Sequence, residues 1–143
     1  MYQSIVVGTD GSQTADTAVR HAFGLARTTG ATVHVVTAWS RIPALVLSAG
    51  TMTPGAVAAD DGEWVERLHD GVQERAQEYG VALTCHAVED PPAKALLDVA
   101  AAVHAQLIVV GNQGMSGLRG KLGSVPNSVA HKAGCAVLVV PTG

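Results

Sequence analysis

Short aliphatic runs recur along the chain, and segments with the period of an amphipathic helix separate them. Each run is bounded by turn-forming residues, which is the pattern of a buried β-strand. The runs predict strands at residues 4–7, 32–38, 81–88, 107–110 and 136–140. Because the aliphatic residues do not alternate with polar ones, these strands are typical of a parallel sheet covered by helices on both faces.

The segments between the strands carry the helical pattern. In the first of them Ala15, Ala18 and Ala22 recur at spacings of three and four, and Gly30 follows where a helix commonly ends. The same periodicity predicts helices at residues 14–28, 63–79, 91–105 and 124–133. Alternating strands and helices with right-handed crossovers predict one α/β domain over residues 1–143, a doubly wound, five-stranded parallel sheet flanked by four helices.

Charge and hydropathy argue against nucleic acid and membranes as partners of such a domain. The chain has 143 residues, a formal charge of -3 and scattered basic residues, so nucleic acid is not an expected partner. No basic and apolar leader opens it, no apolar run has the length of a membrane span, and Cys85 and Cys135 are its two cysteines. We therefore expect a cytoplasmic protein with no membrane contact and with free thiols.

The segment at residues 43–62 has no clear period and contains two prolines and three glycines. A loop of this length in a compact domain is usually a lid, a binding loop or partly ordered. The six histidines show no pair at the helical spacing of metal ligands, so a histidine metal site is not expected. Cys85 and His86 are neighbours in a strand and therefore face opposite sides of the sheet.

A run of glycines follows the fourth strand directly. They recur at every third residue, at Gly111, Gly114, Gly117, Gly120 and Gly123, before a helix that starts near Ser124. Glycines allow the backbone to approach a ligand closely, and a helix start offers unpaired N–H groups, so the stretch is a candidate anion cradle. It matches neither the Walker loop nor the dinucleotide fingerprint. The alternative interpretation is a loop with turn glycines only.

Several stretches together resemble the universal stress protein family along essentially the whole chain. They are "IVVGTDGS" at the first strand, "LIVVGNQG" at the fourth and "GSVPNSVAHKAGCAVLVVP" at the end. The ATP-binding branch of the family carries Gly-x2-Gly-x9-Gly followed by Ser or Thr. Gly111, Gly114 and Gly123 with Ser124 match it, except that eight residues rather than nine separate Gly114 from Gly123. The resemblance implies an adenine nucleotide alpha hydrolase-like fold.

The resemblance also implies a set of site residues. Asp10 would accept hydrogen bonds from ribose or hold Mg²⁺ through water; alternatively, Asp10 or Ser12 caps the first helix. Thr37 and Ala38 would contact the base through main-chain atoms. Independently of the resemblance, Arg119 lies within the glycine stretch and is a candidate to meet phosphate charge; the alternative is a solvated loop residue. The full set expected to bind the nucleotide is Gly8, Thr9, Asp10, Thr37, Ala38, Gly111, Asn112, Gln113, Gly114, Arg119, Gly123, Ser124, Val125 and Pro126.

The last strand is the expected dimer interface. In the family it pairs across a two-fold axis, which implies a homodimer formed through Val137, Leu138, Val139 and Val140. The leading hypothesis is a regulatory module of the stress response that binds ATP. A cyclic AMP or AMP binder, a slow ATPase and a ligand-free dimeric scaffold remain alternatives. No catalytic base, P-loop lysine or nucleophile triad is evident, so enzymatic activity is expected to be weak at most.

Overall fold

The computed structural model describes residues 1–40, 62–112 and 122–142. The predicted loop at residues 43–62, apart from Gly62, therefore lies outside the described residues. Within these ranges the chain forms the strands β1 (Ser4–Gly8), β2 (Thr32–Ala38), β3 (Ala82–Val88), β4 (Leu107–Gly111) and β5 (Ala136–Val140), and the helices α1 (Gln13–Thr29), α2 (Glu63–Tyr79), α3 (Pro92–Ala102) and α4 (Ser124–Lys132).

Each strand and helix predicted from the sequence is present, and the differences lie at the ends. The largest is in α3, which ends at Ala102 rather than at residue 105. His104 adopts a left-handed backbone conformation with φ of 52°, and this conformation cannot continue a right-handed helix. The patterning therefore identified the elements, while a local backbone turn determined where this helix stops.

The five strands form one parallel sheet in the order β3-β2-β1-β4-β5. The chain winds outward from β1 through β2 to β3, and then returns to β4 and β5 on the other side of β1. The winding direction therefore reverses between β1 and β4. In an open α/β sheet, ligands bind at this point, in a crevice outside the carboxyl ends of the strands.

The sheet carries a core on each face. Phe23 and Val19 of α1 with Val72 of α2 pack against one face, where Ile5, Val7, Val33 and Val35 are buried. Leu96 and Val99 of α3 with Val129 of α4 cover the other face, against Val6, Val36, Ile108 and Val110. Consecutive residues of β1 thus enter different cores, which explains why its aliphatic run does not alternate. In the described ranges, no helix is long and apolar enough to cross a membrane.

Candidate nucleotide site

A cavity of about 470 Å³ opens at the carboxyl edge of the sheet, at the point where the winding reverses. Its volume falls within the range of about 300–1,000 Å³ that is usual for small-molecule sites. The ends of β1, β2 and β4 and the first turns of α1, α3 and α4 surround it. The lining residues are Gly8, Thr9, Asp10, Ser12, Thr14, Ala15, Val36, Ala38, Pro92, Leu96, Val110, Gly111, Ser124, Val125 and Pro126.

The loop that follows β1 is held in shape by its own side chains. Buried Thr9 donates its N–H to Val36 O at 2.9 Å and accepts at Oγ1 from the Gly11 N–H at 3.1 Å. Asp10 accepts at Oδ1 from the Ser12 N–H at 2.9 Å. Gly11 has a φ of 86°, which favours glycine at this turn. The exposed Asp10 carboxylate is therefore held at the cavity by a bond that uses one of its two oxygens.

The helix cap that the sequence left open between Asp10 and Ser12 belongs to Ser12. Its Oγ accepts from the Ala15 N–H at 3.2 Å, and it lies 3.1 Å from the Thr14 hydroxyl. Ser12 and Thr14 both line the cavity, so the start of α1 brings hydroxyl groups and the positive end of a helix dipole to its wall. Asp10 does not cap α1 and keeps its place at the cavity.

A second helix start lies on the same cavity. Gly123 is the N-cap of α4, and its N–H donates to Asn112 O at 3.0 Å, which anchors the helix start to the end of β4. Ser124, Val125 and Pro126 form the first turn and line the cavity. Because the first N–H groups of a helix have no partner within the helix, this turn is suited to bind an anion.

Part of the cavity lining is apolar. Val36 and Ala38 come from one face of β2, and Pro92 and Leu96 come from successive turns of α3. Leu96 packs closely over the end of β1, where a Cβ on Gly8 would come within 3.2 Å of a Leu96 methyl group. The lining thus combines apolar side chains with hydroxyls, helix starts and a carboxylate.

The structure separates the predicted site residues into groups. Gly8, Thr9, Asp10, Ala38, Gly111, Ser124, Val125 and Pro126 line the cavity, and Gly123 caps the adjoining helix. Thr37 is fully buried on the other face of β2, where its hydroxyl lies 2.9 Å from Nε2 of His69 on α2. Gln113, Gly114 and Arg119 lie outside the described residues.

Asn112 has a structural role in the described residues. Its Oδ1 accepts from both the N–H and the hydroxyl of Thr142, each at 3.0 Å, and its own N–H donates to Val140 O at 2.8 Å. These bonds tie the chain after β5 to the end of β4. Thr142 also fills the space beside Gly111, where a Cβ would come within 2.9 Å of its methyl group.

The sequence analysis did not assign several lining residues to the site. They are Ser12, considered only as a cap, and Thr14, Ala15, Val36, Pro92, Leu96 and Val110. Val36 could have been found from Ala38, since the two lie two residues apart on one strand and share a face. Pro92 and Leu96 required knowledge of how α3 crosses the sheet, which local patterning does not contain.

A scan of known families matches the model of the "Universal stress protein family" over residues 1–141. The chain belongs to this family. Universal stress protein MJ0531 of Methanocaldococcus jannaschii is 34% identical over 141 residues, which cover 98% of this chain and 82% of that protein. Universal stress protein Rv2005c of Mycobacterium tuberculosis is 37% identical over 136 residues, which cover 94% of this chain and only 44% of that longer relative.

Among solved structures, a universal stress protein crystallised in complex with cAMP is similar to this chain. The TM-score is 0.77 at 33% identity, with 99% of this chain and 98% of the other covered. The similarity covers the whole fold, including the strand ends and helix starts that surround the cavity. The fold and the family predicted from the sequence are thereby confirmed for this universal stress protein domain.

Proposed function

We propose that this universal stress protein binds an adenine nucleotide in the cavity at the carboxyl edge and serves as a nucleotide-binding regulatory module. The observation that carries the proposal is the combination of apolar side chains, helix starts and a carboxylate in one cavity at the carboxyl edge of the sheet. An adenine ring suits the surface of Val36, Ala38 and Leu96, and phosphate suits the helix starts at Ser12 and Ser124. The related protein solved with cAMP supports the same class of ligand.

Asp10 also lines the cavity. Its carboxylate is suited to accept a hydrogen bond from a ribose hydroxyl, which is a strong type of hydrogen bond because the acceptor is charged. In the described ranges, no group of three or more His, Cys, Asp or Glu side chains is placed to hold a metal ion. Mg²⁺ would therefore enter with the nucleotide, bound by phosphate oxygens, water and Asp10.

ATP is the first candidate because the resemblance to the ATP-binding branch includes Gly111 and Gly123-Ser124. Cyclic AMP is the second, and the observation in its favour is the solved relative that holds it. A cyclic monophosphate needs fewer phosphate donors than a triphosphate. The two candidates therefore differ in how much they require of the glycine stretch after Asn112.

Calorimetric titration with ATP, AMP and cyclic AMP, each with Mg²⁺ and with EDTA, tests the proposal. We expect at least one of them to bind, with GTP binding more weakly. Asp10→Asn should weaken binding about tenfold or more, since a hydrogen bond to a charged group contributes about 1.5–3 kcal/mol. A loss that persists in EDTA assigns Asp10 to ribose, and a loss seen only with Mg²⁺ assigns it to the cation.

Asp98→Asn is the matched control. Asp98 is an exposed acid on α3 that accepts from Lys94 Nζ at 2.7 Å, and it does not line the cavity. The substitution Asp98→Asn removes one negative charge, as Asp10→Asn does, but leaves the cavity unchanged. The nucleotide affinity should therefore stay at the wild-type value. Absence of binding for every adenine nucleotide would refute the proposal and leave the ligand-free scaffold.

Hydrolysis of the nucleotide is the enzymatic alternative. Among the described residues that line the cavity, Asp10 is the only one with an acidic or basic side chain that a general base requires. This supports binding without efficient turnover. Phosphate release clearly above background, lost in Asp10→Ala, would instead support a slow ATPase.

We further propose a homodimer formed through β5 in the cytoplasm. In the sheet order β5 lies at an edge, and Leu138 is exposed there to 36% of its surface. An apolar edge strand invites pairing with a second strand. Cys85 and Cys135 are both free thiols, which supports a reducing compartment.

A further inference from the structure

Two histidines meet on the sheet face that α3 partly covers. His34 of β2 and His86 of β3 lie on neighbouring strands, and His86 is paired in register with Val36, two residues beyond His34. Nδ1 of His34 and Nε2 of His86 are 3.0 Å apart, and the ring centroids are 5.2 Å apart. Both side chains are half-buried, and neither lines the nucleotide cavity.

The distance between the nitrogens suits a shared cation. Zinc–imidazole bonds are about 2.0–2.1 Å long, so two such nitrogens at neighbouring positions around one cation lie about 2.9–3.4 Å apart. The observed 3.0 Å falls in this range. Both rings stand on hydrogen-bonded strands of one sheet, and the register of β2 with β3 brings them together on the same face.

The protonation states also suit metal binding, which requires neutral imidazole. Burial lowers the pKa of His34 below its usual value, and His86 lowers it further. Burial likewise lowers the pKa of His86. Both shifts favour the neutral ring, and in a neutral pair one N–H···N hydrogen bond can join the two rings. In this arrangement one facing nitrogen carries a hydrogen that a cation would have to displace.

We propose that His34 and His86 together bind one divalent transition-metal cation of the zinc and copper class, at a site separate from the nucleotide cavity. On binding, the ring that donates the N–H···N hydrogen bond shifts its proton from the facing nitrogen to its outer nitrogen, so that both rings then carry their single proton on the outer nitrogen, Nε2 of His34 and Nδ1 of His86. Two nitrogen–metal bonds replace the N–H···N hydrogen bond, and no net proton is released from the neutral pair.

The coordination is open beyond these two ligands. Since the described ranges contain no group of three or more suitable side chains, water completes the shell. We therefore expect weaker binding than at a four-ligand structural zinc site, and discrimination against Mg²⁺, which prefers oxygen. The cation would join the edge strand β3 to β2, so it should also stabilise the folded protein, because it binds the native state alone.

Histidine-selective ¹⁵N–¹H NMR of the full chain, recorded while Zn²⁺ is added without nucleotide, tests the assignment directly. We expect Nδ1 of His34 and Nε2 of His86 to shift first and together, with saturation at one equivalent. Mg²⁺ at the same concentrations should leave both unchanged. Zn²⁺ shifts confined to other histidines, with the signals of this pair unmoved, would overturn the proposal.

Substitution provides the second measurement. His34→Gln and His86→Gln keep a polar side chain but remove the imidazole, and each should abolish the Zn²⁺-dependent rise in Tm and the corresponding calorimetric signal. His131→Gln, an exposed histidine on α4, is the control and should keep both. Retention of the wild-type response in both pair variants would also overturn the site. Nucleotide affinity is measured separately in the same variants, so failure of one proposal does not imply failure of the other.

Discussion

Gly111 ends β4 beside the side chain of Thr142, and a Cβ at this position would come within 2.9 Å of the Thr142 methyl group. Gly111→Ala should therefore overpack this contact and reduce the free energy of unfolding by about 1–3 kcal/mol. Thr142→Ser removes the methyl group and keeps the hydroxyl that bonds Asn112. The double variant should consequently recover most of the loss, as measured by urea unfolding.

The control for Gly111 is Gly24, which lies in the middle of α1. Outside its own helix backbone, no atom lies within 4 Å of a Cβ added there. Gly24→Ala should raise the free energy of unfolding by about 0.5–1 kcal/mol, because alanine favours the helix. Equal destabilisation of Gly111→Ala with and without Thr142→Ser would show that Thr142 does not set the requirement for glycine.

The residue scale also shows what sequence could and could not predict of the site. The turn residues Thr9 and Asp10 were identified because they follow a buried strand at the expected edge of a parallel sheet. Leu96 was missed because its place depends on how α3 crosses β1. The main-chain contacts predicted for Thr37 and Ala38 stay a prediction; Ala38 lines the cavity, while the Thr37 side chain lies on the other face of β2.

At the scale of elements, α2 is joined to β2 by a partly buried polar contact. His69 Nε2 lies 2.9 Å from the Thr37 hydroxyl, directly before the end of β2 that lines the cavity. Burial lowers the pKa of His69, His86 lowers it further, and Asp70 opposes the shift. Burial therefore favours neutral imidazole in the folded protein.

This shift gives a signed pH dependence. The unfolded chain, in which histidine has a pKa of about 6.5, binds the proton before the folded protein does as the pH falls. The free energy of unfolding should consequently decrease as the pH falls through about 6.5. His69→Gln retains a polar partner for Thr37 but cannot titrate, so its urea-unfolding free energy should fall less between pH 7.5 and 5.5. A slope equal to that of the wild type would argue against a lowered His69 pKa.

The elements themselves were predictable because each strand is a compact aliphatic run and each helix has a clear apolar face. Val6 and Val7 are both fully buried, each in a different core. This explains why the hydrophobic run of β1 is not interrupted by polar residues. The meeting of His34 and His86 was not predictable from local spacing. They are 52 residues apart in sequence and become neighbours only through the pairing of β2 with β3.

At the scale of the whole molecule, the two edges of the sheet provide a matched test of assembly. β5 forms one edge with Leu138 exposed, and β3 forms the other with Ala82 exposed. If two copies pair through β5, Leu138→Lys places two charges near the two-fold axis and should shift sedimentation velocity from dimer toward monomer. Ala82→Lys adds the same charge at the opposite edge and should leave the dimer intact.

A dimer that persists in Leu138→Lys but dissociates in Ala82→Lys would place the interface at β3 instead. A wild-type protein that sediments as a monomer at every concentration would exclude a stable homodimer.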